Sequence, residues 1–464
     1  MKISRTCFIV VAIALAASIS AAAQGPKVAP SHSQTDAQIV RALSQVSAKN
    51  IEATINKLVS FHTRLTASTN LPASSGQGVL AARAWIKQQF ENDSKACGGC
   101  LDVKVFKFTQ PVSPRIKQPT EIGDVYAVLK GTDPEASKRI VLISGHYDSI
   151  DLKKMYDSSA SAPGANDDGS GTATVLEAAR VLSKYKFPAT IIFLTVAGEE
   201  EGLYGSEGFA KMAKEQGWDI EAMLNNDIVG GDKSPGQNPF VVRIFSEGIP
   251  YPALKNPREV AAIRMFGYES DSPSRELARY VATTSALYAK SNVPKAMMIF
   301  RQDRFLRGGD HTSFNQQGFT AVRFTEYREN FNHQHQGESM VNGVEHGDLP
   351  KFVDFNYVAR VARLNMATLA SLASAPAPPA AVKVDMSKLE NDTTLLWQPS
   401  PDGLAKSYEV VWRDTTAPQW EHSKNVGNVT TATMPESKDN VIFGVRAVDG
   451  KGHRSLVVVP MPQR

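Results

Sequence analysis

Two short, solidly apolar runs on either side of a helical segment constrain the fold of this chain more than any other feature. Residues 139–145 (RIVLISG) and 190–198 (TIIFLTVAG) lack polar–apolar alternation, which is typical of strands that are covered on both faces. Between them, residues 170–185 place apolar side chains at helical spacing. Strand, helix and strand in this order predict a βαβ unit with parallel strands, and therefore an α/β fold.

Flanking segments extend this unit into a larger domain. Apolar residues recur at helical spacing over 39–61, 78–92 and 350–373, whereas 103–108 and 123–131 alternate as strands do. Helices on both sides of such strands predict a three-layer αβα sandwich with a mostly parallel, mixed central sheet.

The composition changes after residue 375. The α/β domain is therefore predicted to span residues 38–375. Residues 376–384 form a Pro/Ala linker, and residues 385–464 contain short alternating strands between turn residues. This pattern predicts a small all-β sandwich, and the order of Trp397 and Tyr408 resembles a fibronectin type III module. The sequence beyond the linker has no catalytic cluster, so a chain ending near residue 375 is expected to fold and remain active.

The first 23 residues predict export. Lys2 and Arg5 precede an apolar stretch and a small-residue cleavage site at Ala23, the pattern of a secretory signal sequence, and residues 24–37 form a flexible lead-in. We therefore expect a periplasmic or extracellular protein with no membrane span in its mature form. Removal of Lys2 and Arg5 reduces the 51 basic residues to 49, against 47 acidic ones. This balance argues against a nucleic-acid partner, and the sequence gives no signal for oligomeric state.

Cys97 and Cys100 are separated by two glycines in the motif KACGGC. In an oxidising compartment this pair predicts a disulfide that closes a small loop. A thioredoxin-like redox pair would need a strand before the motif and a helix after it, whereas the two glycines favour a loop.

Residues able to bind metal ions or transfer protons follow the predicted strands at their carboxyl ends. In open α/β sheets these ends form the ligand-binding crevice, so residues far apart in sequence converge there. The residues are His146 and Asp148 (GHYDS), Asp167 and Asp168 (GANDDGSG), Glu199, Glu200 and Glu201 (AGEEEGLYGS), and Asp227 (NND).

Each of these motifs also has a purely structural explanation. The histidine is then a hydrogen-bonded loop residue, NDDGSG a turn and helix cap, and GEEEG the acidic first turn of a helix. Their common position at one sheet edge favours a shared site instead. Imidazole and carboxylate ligands suit zinc, and the set exceeds what one catalytic zinc needs, which indicates a pair of metals.

The ordered set of GHYDS, GANDDGSG, AGEEEGLYGS, NND and GGDHTSF resembles the co-catalytic di-zinc exopeptidases over residues 40–372. That family includes secreted bacterial leucyl aminopeptidases and, more distantly, glutamate carboxypeptidase II and glutaminyl cyclases. The resemblance implies two Zn²⁺ ions per chain and peptide substrates with a free amino terminus. It also implies a cis peptide bond after the bridging aspartate, here between Asp167 and Asp168.

The resemblance assigns a role to each matching position. His146 and Asp227 become terminal ligands of one zinc, and Asp167 becomes the carboxylate that bridges both ions. Glu200 becomes a ligand of the second zinc, and Glu199 becomes the general base and acid.

Two further residues of these motifs have supporting roles. Asp148 is expected to orient His146, because metal-binding imidazoles usually need a partner for their second nitrogen. Glu201 has no assigned chemistry and is expected to begin the next helix, where negative charge is favourable.

The family's motif for the last ligand, a His–Thr pair followed by an Asp, is degenerate in this chain. The segment RENFNHQHQGES lacks both the Thr and that Asp, and it offers His333 or His335. Two residues apart in an extended segment, these histidines face opposite sides, so one of them binds the second zinc and His335 is preferred. Asp310 and His311 are expected to line or brace the pocket.

The function that this resemblance implies is removal of the amino-terminal residue of peptides by a water that the two zinc ions activate, with Glu199 as general base. The alternatives are a carboxypeptidase or dipeptidase on the same site, or a non-catalytic peptide-binding relative. A serine hydrolase and a thermolysin-type zinc site are excluded, since neither G-x-S-x-G nor H-E-x-x-H occurs in the sequence.

Overall fold

An eight-stranded sheet forms the centre of the molecule in the computed structural model, which describes residues 35–463. The predicted signal sequence (1–23) and most of the predicted lead-in (24–37) lie outside the described residues. The strands of the sheet are β1 (Leu101–Gln110), β2 (Thr120–Leu129), β3 (Arg139–His146), β4 (Thr190–Val196), β5 (Asp219–Asn226), β6 (Val241–Ser246), β7 (Lys295–Ile299) and β8 (Ala321–Glu326).

Helices cover both faces of this sheet. They are α1 (Ala37–Leu43), α2 (Ala48–Val59), α3 (Gly78–Ala96), α4 (Gly169–Leu182), α5 (Tyr204–Glu215), α6 (Tyr251–Leu254), α7 (Pro257–Phe266), α8 (Pro273–Leu287), α9 (His311–Gln316) and α10 (Phe355–Ser374). The helical pattern over 39–61 is divided into α1 and α2, because the Ser47 side chain accepts a hydrogen bond from the amide of Asn50 and starts a new helix there.

The strand order is β1-β2-β4-β3-β5-β8-β6-β7. β3 pairs in parallel with β4 and β5, β5 with β8, and β6 with β7. The β1–β2, β2–β4 and β6–β8 pairs are antiparallel. The predicted βαβ unit is β3–α4–β4, and the predicted mixed, mostly parallel sheet is confirmed.

Alternate residues of the central strands enter different cores. Ile191 and Phe193 of β4 pack with side chains of α1, α2, α3, α4, α8 and α10, whereas Ile192 and Leu194 pack with those of α5 and α9. Because both faces are buried, the strands read as solid apolar runs. The predicted three-layer αβα sandwich is therefore confirmed.

Glycines allow α4 to approach the sheet closely where the polar residues gather. A Cβ on Gly145 would lie 2.6 Å from the carbonyl carbon of Gly171, and a Cβ on Gly171 would lie 2.3 Å from the backbone carbonyl oxygen of Asn226. The first turn of α4 thus rests directly on the carboxyl ends of β3 and β5.

The C-terminal part contains two small sheets that pack around one apolar core. The strands that follow β8 are β9 (Ser339–Val341), β10 (Val344–His346), β11 (Ala380–Asp385), β12 (Thr393–Gln398), β13 (Ser407–Asp414), β14 (His422–Gly427), β15 (Thr431–Met434), β16 (Val441–Val448) and β17 (Met461–Gln463). β9 and β10 form a separate hairpin, and β11, the first strand of the C-terminal part, begins inside the segment predicted as a linker. One C-terminal sheet has the order β15-β12-β11-β17 and the other β14-β13-β16.

Buried polar contacts join the C-terminal part to the main domain. The Arg413 guanidinium lies 2.5 Å from a carboxylate oxygen of Asp271, which is also 3.2 Å from the guanidinium of Arg279. The Trp420 indole donates a hydrogen bond of 2.8 Å to Glu276. The side chains of Asp271, Glu276, Arg279 and Arg413 are at most 3% exposed. Each part of the chain therefore supplies buried polar partners to the other.

Cys97 and Cys100 form the predicted disulfide, and Cys97 is the C-cap of α3. None of the helices within the described residues is long and apolar enough to cross a membrane.

Candidate metal centre

The predicted site residues converge at the carboxyl ends of three neighbouring strands. His146 is the last residue of β3, Asp227 directly follows β5, and Glu199 lies three residues beyond the end of β4. Asp168 is the N-cap of α4, and its carboxylate accepts a hydrogen bond from the amide of Gly171. The polar residues therefore meet because adjacent parallel strands end at the same edge.

Asp167 lies between two histidines. Its Oδ1 is 3.1 Å from Nε2 of His146, and its Oδ2 is 2.8 Å from Nε2 of His335. The Nε2 atom of His335 is also 3.4 Å from Glu200. One carboxylate thus faces two separate sets of possible ligands.

Two groups of side chains offer ligand atoms that all lie within 4.8 Å of one another: His146 with Glu199 and Asp227, and His146 with Asp167 and Glu200. In the first group, Nε2 of His146 is 4.0 Å from a carboxylate oxygen of Glu199 and 4.0 Å from one of Asp227. The separation is larger than a hydrogen bond and leaves room for an ion between the atoms.

Asp148 contacts both halves of this arrangement. Its Oδ1 is 3.4 Å from Nδ1 of His146, and its Oδ2 accepts a hydrogen bond of 3.2 Å from the amide of Glu200. The Asp168 carboxylate accepts a hydrogen bond from the amide of His146. The peptide bond between Asp167 and Asp168 is cis, as the family resemblance implies.

The electrostatics of the cluster favour a bound cation. Burial raises the pKa of Glu199 and of Glu200 well above the usual range of a carboxyl group. Burial also favours neutral Asp167, but His335 and His146 hold its pKa well below the usual range. Within the described residues, the buried His146 Nε2 and Glu200 Oε1 make no hydrogen bond. Buried imidazole and carboxylate atoms without partners fit zinc ligands.

Most of this sequence is similar to that of known proteins. The profile of peptidase family M28 matches residues 124–342. A protein of Pyrenophora tritici-repentis described as a probable zinc metalloprotease is 45% identical over 430 residues, covering 92% of this chain and 87% of its own. One of Leptosphaeria maculans, also described as a probable zinc metalloprotease, is 46% identical over 431 residues, covering 92% and 97%.

The chain belongs to peptidase family M28.

Solved structures with the same α/β fold as this M28 peptidase include the LapA aminopeptidase of Legionella pneumophila. It is 22% identical, has a TM-score of 0.52, and the match covers 74% of this chain and 76% of that one. LapB of Legionella pneumophila has a TM-score of 0.52 at 19% identity and covers 74% and 77%. At these identities, both matches show a similar fold and nothing further.

The two candidate histidines of the M28 peptidase have different surroundings. His335 faces Asp167 and Glu200, whereas Nδ1 of His333 contacts the carboxylate of Asp232. The His333 ring stacks on Phe352 with 3.6 Å between ring centroids. The geometry therefore brings His335 into the cluster and ties His333 to a neighbouring loop.

The expectation that Glu201 begins a helix is wrong. Helix α5 begins at Tyr204, because the amides of Gly202 and Leu203 both donate to the carbonyl of Glu199 and form a turn first. This turn directs Glu201 inward, where it is 4% exposed and burial raises its pKa to about 8. Glu201 is thus a buried carboxyl group next to the site.

Arg323 is a buried cation at the site that sequence reasoning did not identify. It lies in β8, and its guanidinium is 2.7 Å from Asp227 and 3.2 Å from Asp303. Burial opposes its charge, but Asp227 and Asp303 raise the pKa of Arg323 above its usual range. An arginine inside the apolar run AVRF was the available signal, since a buried charge requires a partner.

Asp310 and His311 are buried at the start of α9, and their role in lining or bracing the pocket stays a prediction. Burial raises the pKa of Asp310 to about 7, and nearby Asp227 acts in the same direction. The His311 ring is fully buried and its Nε2 is 2.9 Å from the carbonyl oxygen of Gln302. His311 therefore fixes the loop that precedes α9.

Proposed function

We propose that this M28 peptidase is a zinc-dependent aminopeptidase that removes the amino-terminal residue of peptides. The observation that carries the proposal is the position of Asp167, whose two oxygens face His146 and His335. A carboxylate shared between two ligand sets is what a pair of cations needs to offset their mutual repulsion. Membership of a peptidase family supplies the reaction class.

The proposed ligands divide into two sets around Asp167. In this proposal His146 and Asp227 would hold one zinc, and Glu200 and His335 would hold the other. When bound, the two ions polarise the scissile carbonyl and lower the pKa of the attacking water. Asp148 keeps His146 in position through Nδ1, which leaves Nε2 free to face the ion.

Glu199 is the proposed proton carrier. It borders the set of His146 and Asp227 at 4.0 Å from the imidazole, and its carboxylate is not needed to complete either ligand set. Glu199 takes a proton from the attacking water and delivers it to the departing amine. The Arg323 guanidinium lies 2.7 Å from Oδ1 of Asp227, the oxygen that is 4.0 Å from Nε2 of His146, and so would hold this carboxylate in position.

Export and the identity of the C-terminal part belong to the same proposal. The signal-like residues 1–23 support cleavage after Ala23 and action outside the cytoplasm. The two packed sheets of residues 380–463 support a fibronectin type III-like module. Amino-terminal sequencing of the secreted protein is expected to begin at Gln24, and an intact Met1 would contradict cleavage.

A panel of end-blocked peptides tests the substrate class. We expect cleavage of peptides with a free amino group whether the carboxyl end is free or amidated, and no cleavage after N-acetylation. A carboxypeptidase would instead cleave acetylated peptides with a free carboxylate. A dipeptidase would need both ends free, so either of these two patterns would contradict the aminopeptidase assignment.

A further inference from the structure

We propose that Asp348 is a positioning residue that fixes the bridging Asp167 through its backbone. The two carboxylate oxygens of Asp348 accept hydrogen bonds from consecutive amides, those of Asn166 and Asp167, each at 2.7 Å. The carbonyl oxygen of Asp348 accepts a third bond, of 3.1 Å, from the amide of Ala165. One residue thus holds three successive amides of the loop that carries Asp167.

These bonds form where water is largely excluded. Asp348 is 2% exposed, and Asn166 and Asp167 are 3% and 4% exposed. Hydrogen bonds from amides to a carboxylate are among the stronger ones in proteins, and a buried amide without an acceptor is strongly unfavourable. The carboxylate of Asp348 therefore determines where the backbone of this loop lies.

Arg64 holds the other side of the same loop. Its fully buried guanidinium donates hydrogen bonds to the carbonyl oxygens of Tyr147, Pro163 and Gly164 at 2.6, 2.6 and 2.7 Å. The loop is consequently tied to the end of β3 by Arg64 and to the segment after β10 by Asp348. With the backbone held from both sides, the Asp167 side chain can keep one oxygen toward each imidazole.

Asp348 reaches this position after the β9–β10 hairpin, which separates it from His335. The base of the hairpin is closed, since a Cβ on Gly347 would lie 3.0 Å from the Cα of Glu338. The amide of Gly347 also donates to the carbonyl of Asn332, just before His335. Residues 338–346 therefore form a hairpin that leaves and re-enters the segment at one point. The chain on either side of this point supplies His335 and Asp348.

This inference rests on the proposed two-zinc function, and its test measures metal affinity as well as turnover. Asp348→Asn keeps the size of the side chain but offers an amide group to one of the two backbone amides. We expect the affinity for at least one zinc, measured by chelator competition, to fall about tenfold or more. Turnover is expected to fall with it and to recover in part when excess zinc is added.

Asp402→Asn is the matched control. The Asp402 side chain is also buried (4% exposed) and also accepts bonds from two amides, those of Ala377 at 2.7 Å and Leu404 at 3.2 Å, but it lies in the C-terminal part. This variant is expected to lower the melting temperature and to keep wild-type zinc affinity. Equal zinc loss in both variants, or wild-type zinc affinity in Asp348→Asn, would overturn the inference.

If Asp348→Asn does not fold, Asp348→Glu keeps the inference testable: it retains the charge but displaces the two acceptor oxygens, so zinc affinity is expected to fall, and wild-type affinity would overturn the inference. A further variant tests the account of the hairpin. Removal of residues 338–346, with Gly337 joined to Gly347, leaves Asp348 next to the same loop. Zinc affinity is expected to stay at the wild-type level, and its loss would overturn the account of the hairpin. The zinc content of the wild-type protein tests the proposed function separately, because the inference concerns only the ratio between variant and wild type.

Discussion

Nε2 of His335 lies 2.8 Å from Oδ2 of Asp167, although the two residues come from distant parts of the chain. We expect His335→Ala to lose one of two bound zinc ions and most of the turnover, because no other imidazole of the described residues contacts Glu200 or this oxygen. Elemental analysis and a peptidase assay on the purified variant measure both quantities.

His333→Ala is the control for this variant, because His333 lies two residues away and contacts Asp232 instead. It is expected to retain both ions and to lose only some stability through its contact with Phe352. The reverse pattern, with normal zinc in His335→Ala and zinc loss in His333→Ala, would contradict the ligand assignment.

The pair of Arg323 and Asp227 predicts a large effect on stability. Removing one partner of a buried ion pair typically costs about 3–5 kcal/mol, because the other charge stays buried without compensation. Arg323→Met is therefore expected to lower the free energy of unfolding by this amount. Arg83→Met is the control, since its partner Glu121 is 44% exposed and exposed pairs contribute about 0–1 kcal/mol. Equal losses in urea unfolding would contradict this expectation.

The contact between Arg413 and Asp271 changes what is expected of a shortened chain. A chain ending at residue 375 would leave Asp271, Arg279 and Glu276 without partners that the C-terminal part supplies. We now expect such a chain to melt at a lower temperature or to aggregate, in contrast to the expectation from sequence. In the full-length protein, Arg413→Met should lower stability and leave kcat unchanged. A shortened chain with the wild-type melting temperature would show that this interface contributes little.

Asp93 gives a prediction for the dependence of stability on pH. Burial raises the pKa of Asp93 to about 6. Between about pH 4 and this value the folded protein binds more protons than the unfolded chain, so this residue lowers wild-type stability as pH rises. Asp93→Asn removes that loss. The stability of the variant relative to wild type is therefore expected to increase from pH 4 to pH 6 and then remain constant.

Urea unfolding of both proteins at several pH values measures this difference. Glu121→Gln is a control for which the pH dependence is expected to have the opposite sign. Burial raises the pKa of Glu121, but Arg83 outweighs this effect and holds the pKa below its usual value. The Glu121 carboxylate stabilises the folded protein at neutral pH, and this stabilisation is lost as pH falls. The free energy of unfolding of Glu121→Gln should therefore be below that of wild type only at higher pH. A difference between Asp93→Asn and wild type that does not vary with pH would contradict the prediction.

The core of the fold and most of the cluster are predictable from sequence for a physical reason. Strands buried on both faces must be apolar throughout, so β3 and β4 are visible as solid runs, and parallel strands in one sheet end at the same edge. The sequence alone therefore places His146 and Asp227 together. The sequence already favours His335 over His333, but the different surroundings of the two histidines depend on the path of an irregular segment and are seen only in the structure.

Other features depend on contacts that leave no local pattern. Asp348 lies beyond a hairpin, so its distance in sequence from His335 conceals that it holds the loop of Asp167. The pairing of Arg413 with Asp271 depends on how two separate cores pack against each other. The inward direction of Glu201 follows from a turn that the sequence does not signal, since three consecutive glutamates are equally compatible with a helix start.

The most direct test of the central claim is the zinc content and turnover of Glu199→Gln, measured on the same preparation and compared with Glu200→Gln. Glutamine keeps the shape of the side chain and cannot take up the proton. Glu199→Gln is expected to bind two zinc ions and to lose about 10²–10⁴-fold in turnover, whereas Glu200→Gln loses turnover together with one ion. A fully active Glu199→Gln protein, or one that loses zinc as Glu200→Gln does, would contradict the role of Glu199 as the proton carrier of a two-zinc site.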